Sequence, residues 1–347
     1  MTSREFARAH SLALLAGAIL MAAVVGAVIW LPNASRATAE TKERGTPSMT
    51  QRILARPDEP LLPIQPNVNL DAGKVELGRA LFHDPRLSRD NSISCAFCHD
   101  LARGGTDRLP KSVGVGGQLG TINSPTVYNA ALNFRQFWDG RAATLEEQVT
   151  GPIHNPVEMA SSWQEVIAKL TADPETSNKF IKLYGGPPSA ESIQDAIAEF
   201  ERSLITPSRM DRWLKGDDRA LTPQELAGYQ LFKRYGCVAC HQGANVGGNM
   251  YQRFGIMKDY FEGRTRVDPA DLGRFNVTSR EEDKYVFKVP SLRNIAATAP
   301  YFHDASVNSL HEAVSRMGEF QLGVELPPED IQSIVLFLYT LNGEQLQ

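Results

Sequence analysis

Apolar residues recur every three or four positions along much of the chain after residue 61, the spacing of an amphipathic helix. Between residues 71 and 82, Asp71 is suited to cap a helix whose apolar set is Val75, Leu77, Leu81 and Phe82. The same pattern predicts helices at about 144–149, 161–171, 175–184, 189–205, 222–235, 308–317 and 328–341. No segment shows a strong strand pattern, so we expect a mostly α-helical fold.

Two stretches interrupt this pattern. Residues 103–143 are rich in Gly, Asn and Pro, and we expect a long structured loop, which in a compact domain is usually functional. Residues 32–60 combine Pro, Thr, Ser and charged residues, and we expect a linker there.

The N-terminus predicts export. Arg4 and Arg8 precede an uncharged apolar run, residues 12–31, which is long enough to cross a bilayer as a helix. Residues 1–31 are therefore a signal peptide or a membrane anchor. Ala37-Thr38-Ala39 offers a cleavage site, whereas the length of the run favours a retained inner-membrane anchor.

Composition adds little beyond this outline. The chain has 347 residues, of which 42% are hydrophobic and 22% charged, and its net charge is −4. These values are ordinary for a globular protein of two domains. They give no indication of nucleic-acid binding.

Two copies of one motif use every cysteine of the chain: Cys95-Ala96-Phe97-Cys98-His99 and Cys237-Val238-Ala239-Cys240-His241. C-x-x-C-H is the attachment motif of c-type haem, in which both thiols bond to the porphyrin and the histidine binds iron. A zinc site would need four ligands held together, and a redox C-x-x-C does not need the histidine. We therefore predict two covalent haems. Because c-type haem is attached outside the bacterial cytoplasm, we also expect a periplasmic protein.

A short repeat precedes each motif. Leu77-Gly78-Arg79-Ala80-Leu81-Phe82 and Ala227-Gly228-Tyr229-Gln230-Leu231-Phe232 share the pattern x-Gly-x-x-Leu-Phe. This repeat predicts two cytochrome c-like units, an N-terminal domain over 61–210 and a C-terminal domain over 211–347.

The axial ligands determine what each haem does. His99 and His241 are the expected proximal ligands. Met317 follows the second motif and precedes the last helix, the order found in cytochrome c, although a methionine there is also explained by core packing. Met159 follows the first motif, where packing is the preferred interpretation. A first haem without a sixth protein ligand is open to a small molecule.

Over residues 61–345 the chain resembles the bacterial di-haem cytochrome c peroxidases. The matching segments share short polar and aromatic motifs, namely Leu81-Phe82-His83-Asp84-Pro85-Arg86-Leu87-Ser88, Gly104-Gly105-Thr106-Asp107, Ile122-Asn123-Ser124-Pro125-Thr126-Val127, Gln136-Phe137-Trp138-Asp139-Gly140-Arg141-Ala142, Gly151-Pro152-Ile153, Asn155-Pro156, Glu158-Met159-Ala160, Phe287-Lys288-Val289-Pro290-Ser291-Leu292-Arg293-Asn294-Ile295 and Pro300-Tyr301-Phe302-His303-Asp304.

The resemblance implies a peroxidatic N-terminal haem and a high-potential C-terminal haem ligated by His241 and Met317. A related oxidase that matures a tryptophan-derived quinone carries tyrosine at the Met317 position, which argues against that function. Glu158 matches the family's distal glutamate, which moves a proton between the peroxide oxygens. Gln148 matches a glutamine of the same pocket. Trp138 matches a tryptophan between the haems, a candidate electron relay.

The resemblance also implies a calcium ion between the domains. Its ligands would be the side-chain oxygen of Asn123 and the backbone carbonyls of Thr298 and Pro300, a set of oxygens that suits Ca²⁺. Family members are commonly homodimers and take electrons from a soluble cytochrome c or cupredoxin.

The chain departs from the family at one position. Many members carry a histidine in the loop after the first motif, and it caps the peroxidatic iron at rest. Here Val115 stands there, and valine cannot bind iron. We expect activity without reductive activation. His154 is a substitute ligand or proton donor to consider, although it is equally explained as a solvent-facing residue.

These inferences predict a cytochrome-c peroxidase that reduces H2O2 to water. The alternatives are a di-haem oxidase that modifies another protein, and a haem-based electron carrier or sensor. A carrier needs no proton-transfer pocket, so Glu158, Gln148 and Trp138 argue against the last alternative.

Overall fold

The computed structural model describes residues 56–65 and 69–344. This part of the chain is mostly helical, as predicted. None of its helices is both long and apolar enough to cross a membrane. The apolar run 12–31, the proposed cleavage site and most of the predicted linker lie outside the described residues.

The predicted helices are all present, and most are close to their expected bounds, but the helix expected at about 144–149 continues to His154. In chain order the helices are α1 (Ala72–Phe82), α2 (Cys95–Cys98), α3 (Leu145–His154), α4 (Trp163–Thr171), α5 (Pro174–Tyr184), α6 (Ala190–Ser203), α7 (Arg209–Leu214), α8 (Pro223–Arg234), α9 (Phe275–Thr278), α10 (Leu310–Met317) and α11 (Pro328–Tyr339).

Helix starts follow from local chemistry. Asp71 caps α1 as predicted, since its carboxylate accepts hydrogen bonds from the backbone N–H groups of Gly73 and Lys74 at 2.8 and 3.1 Å. Thr222 and Glu225 form the capping box that begins α8. The periodicity did not reveal α7, because six residues are too few to show it.

Strand structure is limited to one short antiparallel pair among the described residues. β1 (Tyr251–Arg253) pairs with β2 (Val286–Lys288), and Gln252 lies opposite Phe287. Three residues per strand leave no detectable alternation, which explains why the sequence did not predict the pair.

Two separate cores are built around two helix crossings. In the first, α1 packs on α6, and the buried side chains include Leu77, Leu81, Ile193 and Ile197. In the second, α8 packs on α11, and the buried side chains include Tyr229, Phe232, Ile334, Phe337 and Leu338. In each crossing, one helix carries a copy of the sequence repeat x-Gly-x-x-Leu-Phe.

The segment 56–65, which we call the N-terminal arm, packs against the second core. Leu61 is fully buried there, and the backbone N–H of Ile64 donates to Oδ1 of Asp211 at 2.7 Å. Glu59 accepts a hydrogen bond from the Tyr229 hydroxyl at 2.7 Å. The sequence does not indicate this docking, because a short apolar segment does not reveal which core buries it.

The loop 103–143 crosses from the first unit to the second. The backbone N–H of Phe134 donates to the carbonyl of Gly248 at 2.8 Å, and that of Asn123 donates to the carbonyl of His303 at 2.9 Å. Nδ2 of Asn245 donates to Oδ1 of Asn133 at 2.9 Å. The loop therefore brings residues of the first unit to the second C-x-x-C-H motif.

Candidate functional site

The first C-x-x-C-H motif forms one helical turn, α2, closed by a hydrogen bond of 2.9 Å from the backbone N–H of His99 to the carbonyl of Cys95. Nδ1 of His99 lies 3.3 Å from the carbonyl of Gly105, which orients the ring and leaves the other nitrogen available. Burial raises the pKa of Cys95 to about 12 and that of Cys98 to about 11. Two thiols that form no disulfide, beside an imidazole oriented by a backbone carbonyl, fit the covalent attachment of a haem.

The second motif follows α8 directly as the turn Cys237–Ala239, with the His241 N–H donating to the Cys237 carbonyl at 2.9 Å. Burial lowers the pKa of His241 to about 4, a shift that the carbonyls of Val246 and Pro290 oppose without reversing. Its Nδ1 is buried and has no partner at hydrogen-bonding geometry in the described part of the chain. Because burial disfavours protonation of this imidazole, a ring nitrogen keeps its lone pair and can bind a metal ion.

Met317 lies at the same cavity as the second motif. The cavity measures about 430 Å³, and its lining includes Cys237, Cys240, His241 and Met317. Met317 is the last residue of α10 and is followed by a π-helical turn, Gly318–Leu322. The structure thus brings together all four residues that we assigned to the second haem. Met159, by contrast, is buried in the first core, as the packing interpretation requires.

Glu158 lies beside the first motif. Its Oε1 accepts a hydrogen bond of 2.6 Å from Nδ2 of Asn155. Burial raises the pKa of Glu158, although Asn155 and the charge of Arg141 oppose the shift. The carboxylate is close enough to Cys98 for its charge to help raise the pKa of that thiol. A half-buried carboxyl at this position can hold a proton and release it.

Gln148 and His154 both lie on α3, but in different surroundings. Gln148 is half-buried, whereas His154 is exposed and meets the Trp163 ring edge-on at 6.0 Å between centroids. The exposure of His154 agrees with the solvent-facing interpretation.

Val115 is buried in the first core, and its loop is docked on the Glu158 segment. The Val115 N–H donates to the Glu158 carbonyl at 2.8 Å. Gly114 packs closely against the same backbone segment, since a Cβ at Gly114 would lie 2.1 Å from the Val157 carbonyl oxygen. The loop position where the resemblance implies a capping histidine is therefore filled here by an aliphatic side chain in contact with other apolar groups.

Trp138 connects the two units. It belongs to the loop 103–143, yet its ring lines the cavity of the second motif. Its Nε1 donates to the carbonyl of Asn123 at 2.9 Å, and its own carbonyl accepts from the N–H of Lys288 at 2.8 Å. Both hydrogen bonds hold the indole in one position between the units.

The three candidate calcium ligands also line this cavity. Nδ2 of Asn123 donates to the carbonyl of Leu109 at 3.0 Å, which leaves Oδ1 for another partner. In the described part of the chain, Oδ1 of Asn123 accepts no hydrogen bond. The carbonyl oxygens of Thr298 and Pro300 accept none there either. Three oxygens without donors at one cavity are suited to a hard cation.

An ionic cluster next to the cavity was not predicted. Nε2 of His303 lies 2.8 Å from Oδ1 of Asp271, and Arg264 pairs with Asp271 at 3.1 Å and Asp304 at 2.7 Å. These acids and the histidine are close enough to hold a metal, but the Arg264 guanidinium already pairs with both carboxylates. The sequence does not indicate this cluster, because no local pattern links His303 to Arg264.

Lys288 was also missed as a functional residue. It lies in β2 between apolar residues and lines the same cavity. A charged residue inside an otherwise apolar run, Val286-Phe287-Lys288-Val289, is the signal that marks it.

Comparison with known proteins supports the resemblance seen in the sequence. A family model described as di-haem cytochrome c peroxidase matches residues 72–219. The chain is 54% identical over 288 residues to cytochrome c peroxidase Ccp of Escherichia coli (strain K12), and this match covers 82% of the chain and 62% of that protein. It is 48% identical over 291 residues to cytochrome c551 peroxidase of Nitrosomonas europaea, covering 83% of the chain and 85% of that protein.

A solved structure has the same fold. The crystal structure of a MauG-like protein associated with microbial copper homeostasis superposes with a TM-score of 0.73 at 27% identity. The match covers 83% of this chain and 94% of the other. The chain spans less than two thirds of the Escherichia coli relative's length, but most of the length of the other two proteins.

Proposed function

This chain belongs to the di-haem cytochrome c peroxidase family, and on that premise we propose that it reduces hydrogen peroxide to water with two electrons from a small soluble redox protein. Like the family, it carries two haem c groups. The observation that carries the proposal is the half-buried Glu158 carboxyl beside the first C-x-x-C-H motif. An electron carrier has no use for such a group.

The bound haem at the first motif supplies the iron that binds peroxide and the electrons that reduce it. Glu158 would take a proton from one peroxide oxygen and give it to the other, so that the O–O bond breaks with release of one water. Two electrons from the donor and two protons from solvent would convert the remaining oxygen to the second water. The raised pKa of Glu158 suits both of its proton transfers. Asn155 holds Oε1 of Glu158 and thereby directs the carboxyl. Gln148 is assigned to orient peroxide or water from α3.

We assign the haem contacts by position. Cys95 and Cys98 attach the first haem, with His99 as its iron ligand, and Cys237 and Cys240 attach the second, with His241 and Met317 as ligands. A thioether ligand raises the reduction potential, so a haem held by His241 and Met317 would be the entry point for electrons from the donor. Trp138 then relays them toward the first haem.

We assign calcium to the oxygens of Asn123, Thr298 and Pro300. An ion at that site would fix the loop 103–143 against the second unit, where Asn123 also holds Trp138. Chelation of calcium is therefore expected to slow electron transfer between the haems while both haem spectra are retained.

The first haem is proposed to be uncapped at rest, because Val115 is buried among apolar side chains. An electron paramagnetic resonance spectrum of the oxidised protein tests this assignment. We expect a His/Met low-spin second haem together with a first haem that lacks a second histidine ligand. Two six-coordinate low-spin haems, with a His/His-type first haem, would refute it.

We place the protein in the periplasm, where c-type haem is attached, with residues 12–31 as signal or inner-membrane anchor. A soluble cytochrome c or cupredoxin is the proposed electron donor, and a homodimer is the proposed assembly.

Likeness to a MauG-like structure keeps a protein-modifying oxidase as the second candidate function. Met317 in place of tyrosine argues against it.

Steady-state oxidation of a reduced cytochrome c by peroxide tests the function directly. We expect turnover without pre-reduction of the enzyme, and no gain from pre-reduction. Turnover only after pre-reduction would contradict the uncapped first haem. No turnover in either condition would favour the oxidase or the sensor.

A further inference from the structure

Lys288 is a buried lysine for which the described part of the chain supplies no anionic partner. Its side chain lies in β2 and the residue is only 8% exposed. Within the described residues its ammonium group makes no hydrogen bond and no ion pair, although its backbone N–H is bound to the carbonyl of Trp138. Burial alone lowers its pKa to about 8. Burying an ammonium group is costly unless an anion compensates it.

The cavity that Lys288 lines offers no such anion. No aspartate or glutamate is among the described residues that form its wall. The two other cationic side chains there are accounted for: Arg293 is paired with the buried carboxylate of Asp211 at 2.7 Å, and Arg253 is partly exposed, 3.9 Å from Asp259. Among the described residues of this wall, Lys288 is thus the buried cation that has no anion beside it to balance its charge.

The same wall carries Cys237, Cys240 and His241, the attachment residues of the second haem. A haem bound by these residues brings two propionate carboxylates with it. Covalent attachment would keep these two anions close to the cavity for the lifetime of the protein. A free anion from solution would have to enter an apolar cavity that the porphyrin occupies.

We propose that Lys288 binds a propionate of the haem attached at Cys237 and Cys240, and that its charge sets the reduction potential of that haem. The inference rests on the haem attachment of the proposed function but not on its peroxide chemistry. A fixed positive charge beside the haem favours the reduced iron, which is the less positive of its two states. Loss of that charge should therefore lower the potential.

Redox titration of the holoprotein, followed by visible absorbance, tests the proposal with Lys288→Met. We expect the reduction equilibrium of the second haem to shift about tenfold toward the oxidised form, which is about 59 mV for a one-electron couple. The potential of the first haem should stay unchanged and serves as an internal reference. Lys288→Arg should restore the potential of the second haem, because it keeps the charge.

Arg253→Met is the matched control. It removes a cation from the same cavity wall, but one that solvent reaches, so the potential of the second haem should change little. If Lys288→Met yields no haem-loaded protein, Lys288→Gln gives the same comparison with a polar side chain. An unchanged potential, or an equal shift in Lys288→Arg, would overturn the proposal. A shift in a protein that does not turn over peroxide would leave it standing and refute only the peroxidase function.

Discussion

At the scale of single residues, burial shifts the pKa values of ionisable side chains near the first C-x-x-C-H motif. Glu158 and Glu201 both have raised pKa values, and burial is the largest cause in each case. The two carboxyls differ in their surroundings. Glu158 has Asn155 as a hydrogen-bond donor and stands next to the first motif, whereas Glu201 lies inside α6 near Cys95.

Glu158→Gln is expected to lower kcat for peroxide by about a hundredfold or more, because glutamine cannot move a proton between the peroxide oxygens. Steady-state oxidation of reduced cytochrome c measures the loss, and the haem spectra should be unchanged. Glu175→Gln, an exposed change on α5, is the control and should keep full activity. Near-normal turnover in Glu158→Gln would remove Glu158 from the mechanism.

Glu201→Gln is expected to stabilise the protein at neutral and alkaline pH. Burial raises the pKa of Glu201 from 4.5 to about 8, with the charge of Arg202 opposing and that of Glu146 adding to the shift. The folded state therefore keeps this proton to a higher pH than the unfolded chain, so this carboxyl makes the wild type less stable as pH rises from 4.5 to 8. Removing it should recover up to about 4 kcal/mol at pH 8.

Urea unfolding at several pH values measures this effect. The free energies of unfolding of the variant and the wild type should converge near pH 4 and separate toward pH 8. Glu191→Gln, an exposed change on the same helix, should show no comparable pH-dependent gain. A gain in Glu201→Gln that does not depend on pH would mean that packing, and not ionisation, is responsible.

At the scale of secondary structure elements, one crossing is built twice. A Cβ on Gly78 would lie 1.8 Å from the Ala196 carbonyl oxygen of α6, and a Cβ on Gly228 would lie 1.9 Å from the Ser333 carbonyl oxygen of α11. Phe82 meets Phe200 at 5.3 Å, as Phe232 meets Phe337 at 5.1 Å. In each copy of the repeat x-Gly-x-x-Leu-Phe, the glycine and the phenylalanine thus form a close helix contact N-terminal to a C-x-x-C-H motif.

Gly228→Ala is expected to destabilise the fold by about 3 kcal/mol, because the new methyl group meets the backbone of α11 and the helices must separate. Thermal or urea unfolding of the holoprotein measures the loss. Gly186→Ala is the matched control, since a Cβ there meets nothing within 4 Å and the backbone conformation is ordinary. A loss equal to that of the control would contradict the close-contact interpretation.

At the scale of the whole molecule, a buried ion pair ties distant segments together. The Arg293 guanidinium binds both oxygens of Asp211 at 2.7 and 2.9 Å and also donates to the carbonyl of Ala244. Burial opposes ionisation of Asp211, but Arg293, the Ile64 N–H and Ser208 outweigh it and lower its pKa. The N-terminal arm, α7 and the loop after the second motif therefore meet at one charge pair.

Asp211→Asn is expected to cost about 3–5 kcal/mol, because it leaves the fully buried Arg293 without a counter-charge. Urea unfolding at pH 7 measures the loss. In the wild type, the contribution of Asp211 is present above the pKa of the unfolded carboxyl, 3.8, and is lost as pH falls through the lower pKa of the folded state. Asp218→Asn breaks an exposed pair with Arg56 and should cost far less. Similar losses in the two variants would contradict this assignment.

Sequence reasoning succeeded where the relevant chemistry is local. The helix starts at Asp71 and Thr222 follow from neighbouring residues, and each haem motif is complete within five residues. It failed where partners lie far apart in the chain. Tertiary contacts alone show that Lys288 lines the cavity and that Arg264, Asp271 and His303 form one cluster. No local sequence pattern indicates these contacts.

The amino-acid sequence by itself determined most of the helices, the two C-x-x-C-H motifs and the family. These properties depend on spacing within a few residues, which the sequence displays directly. Only the tertiary structure decided that the N-terminal arm belongs to the second core, that Trp138 and Met317 share one cavity, and that the charge of Lys288 in its wall is unbalanced. The reason is physical: burial and charge compensation depend on distances in space between residues that are remote along the chain.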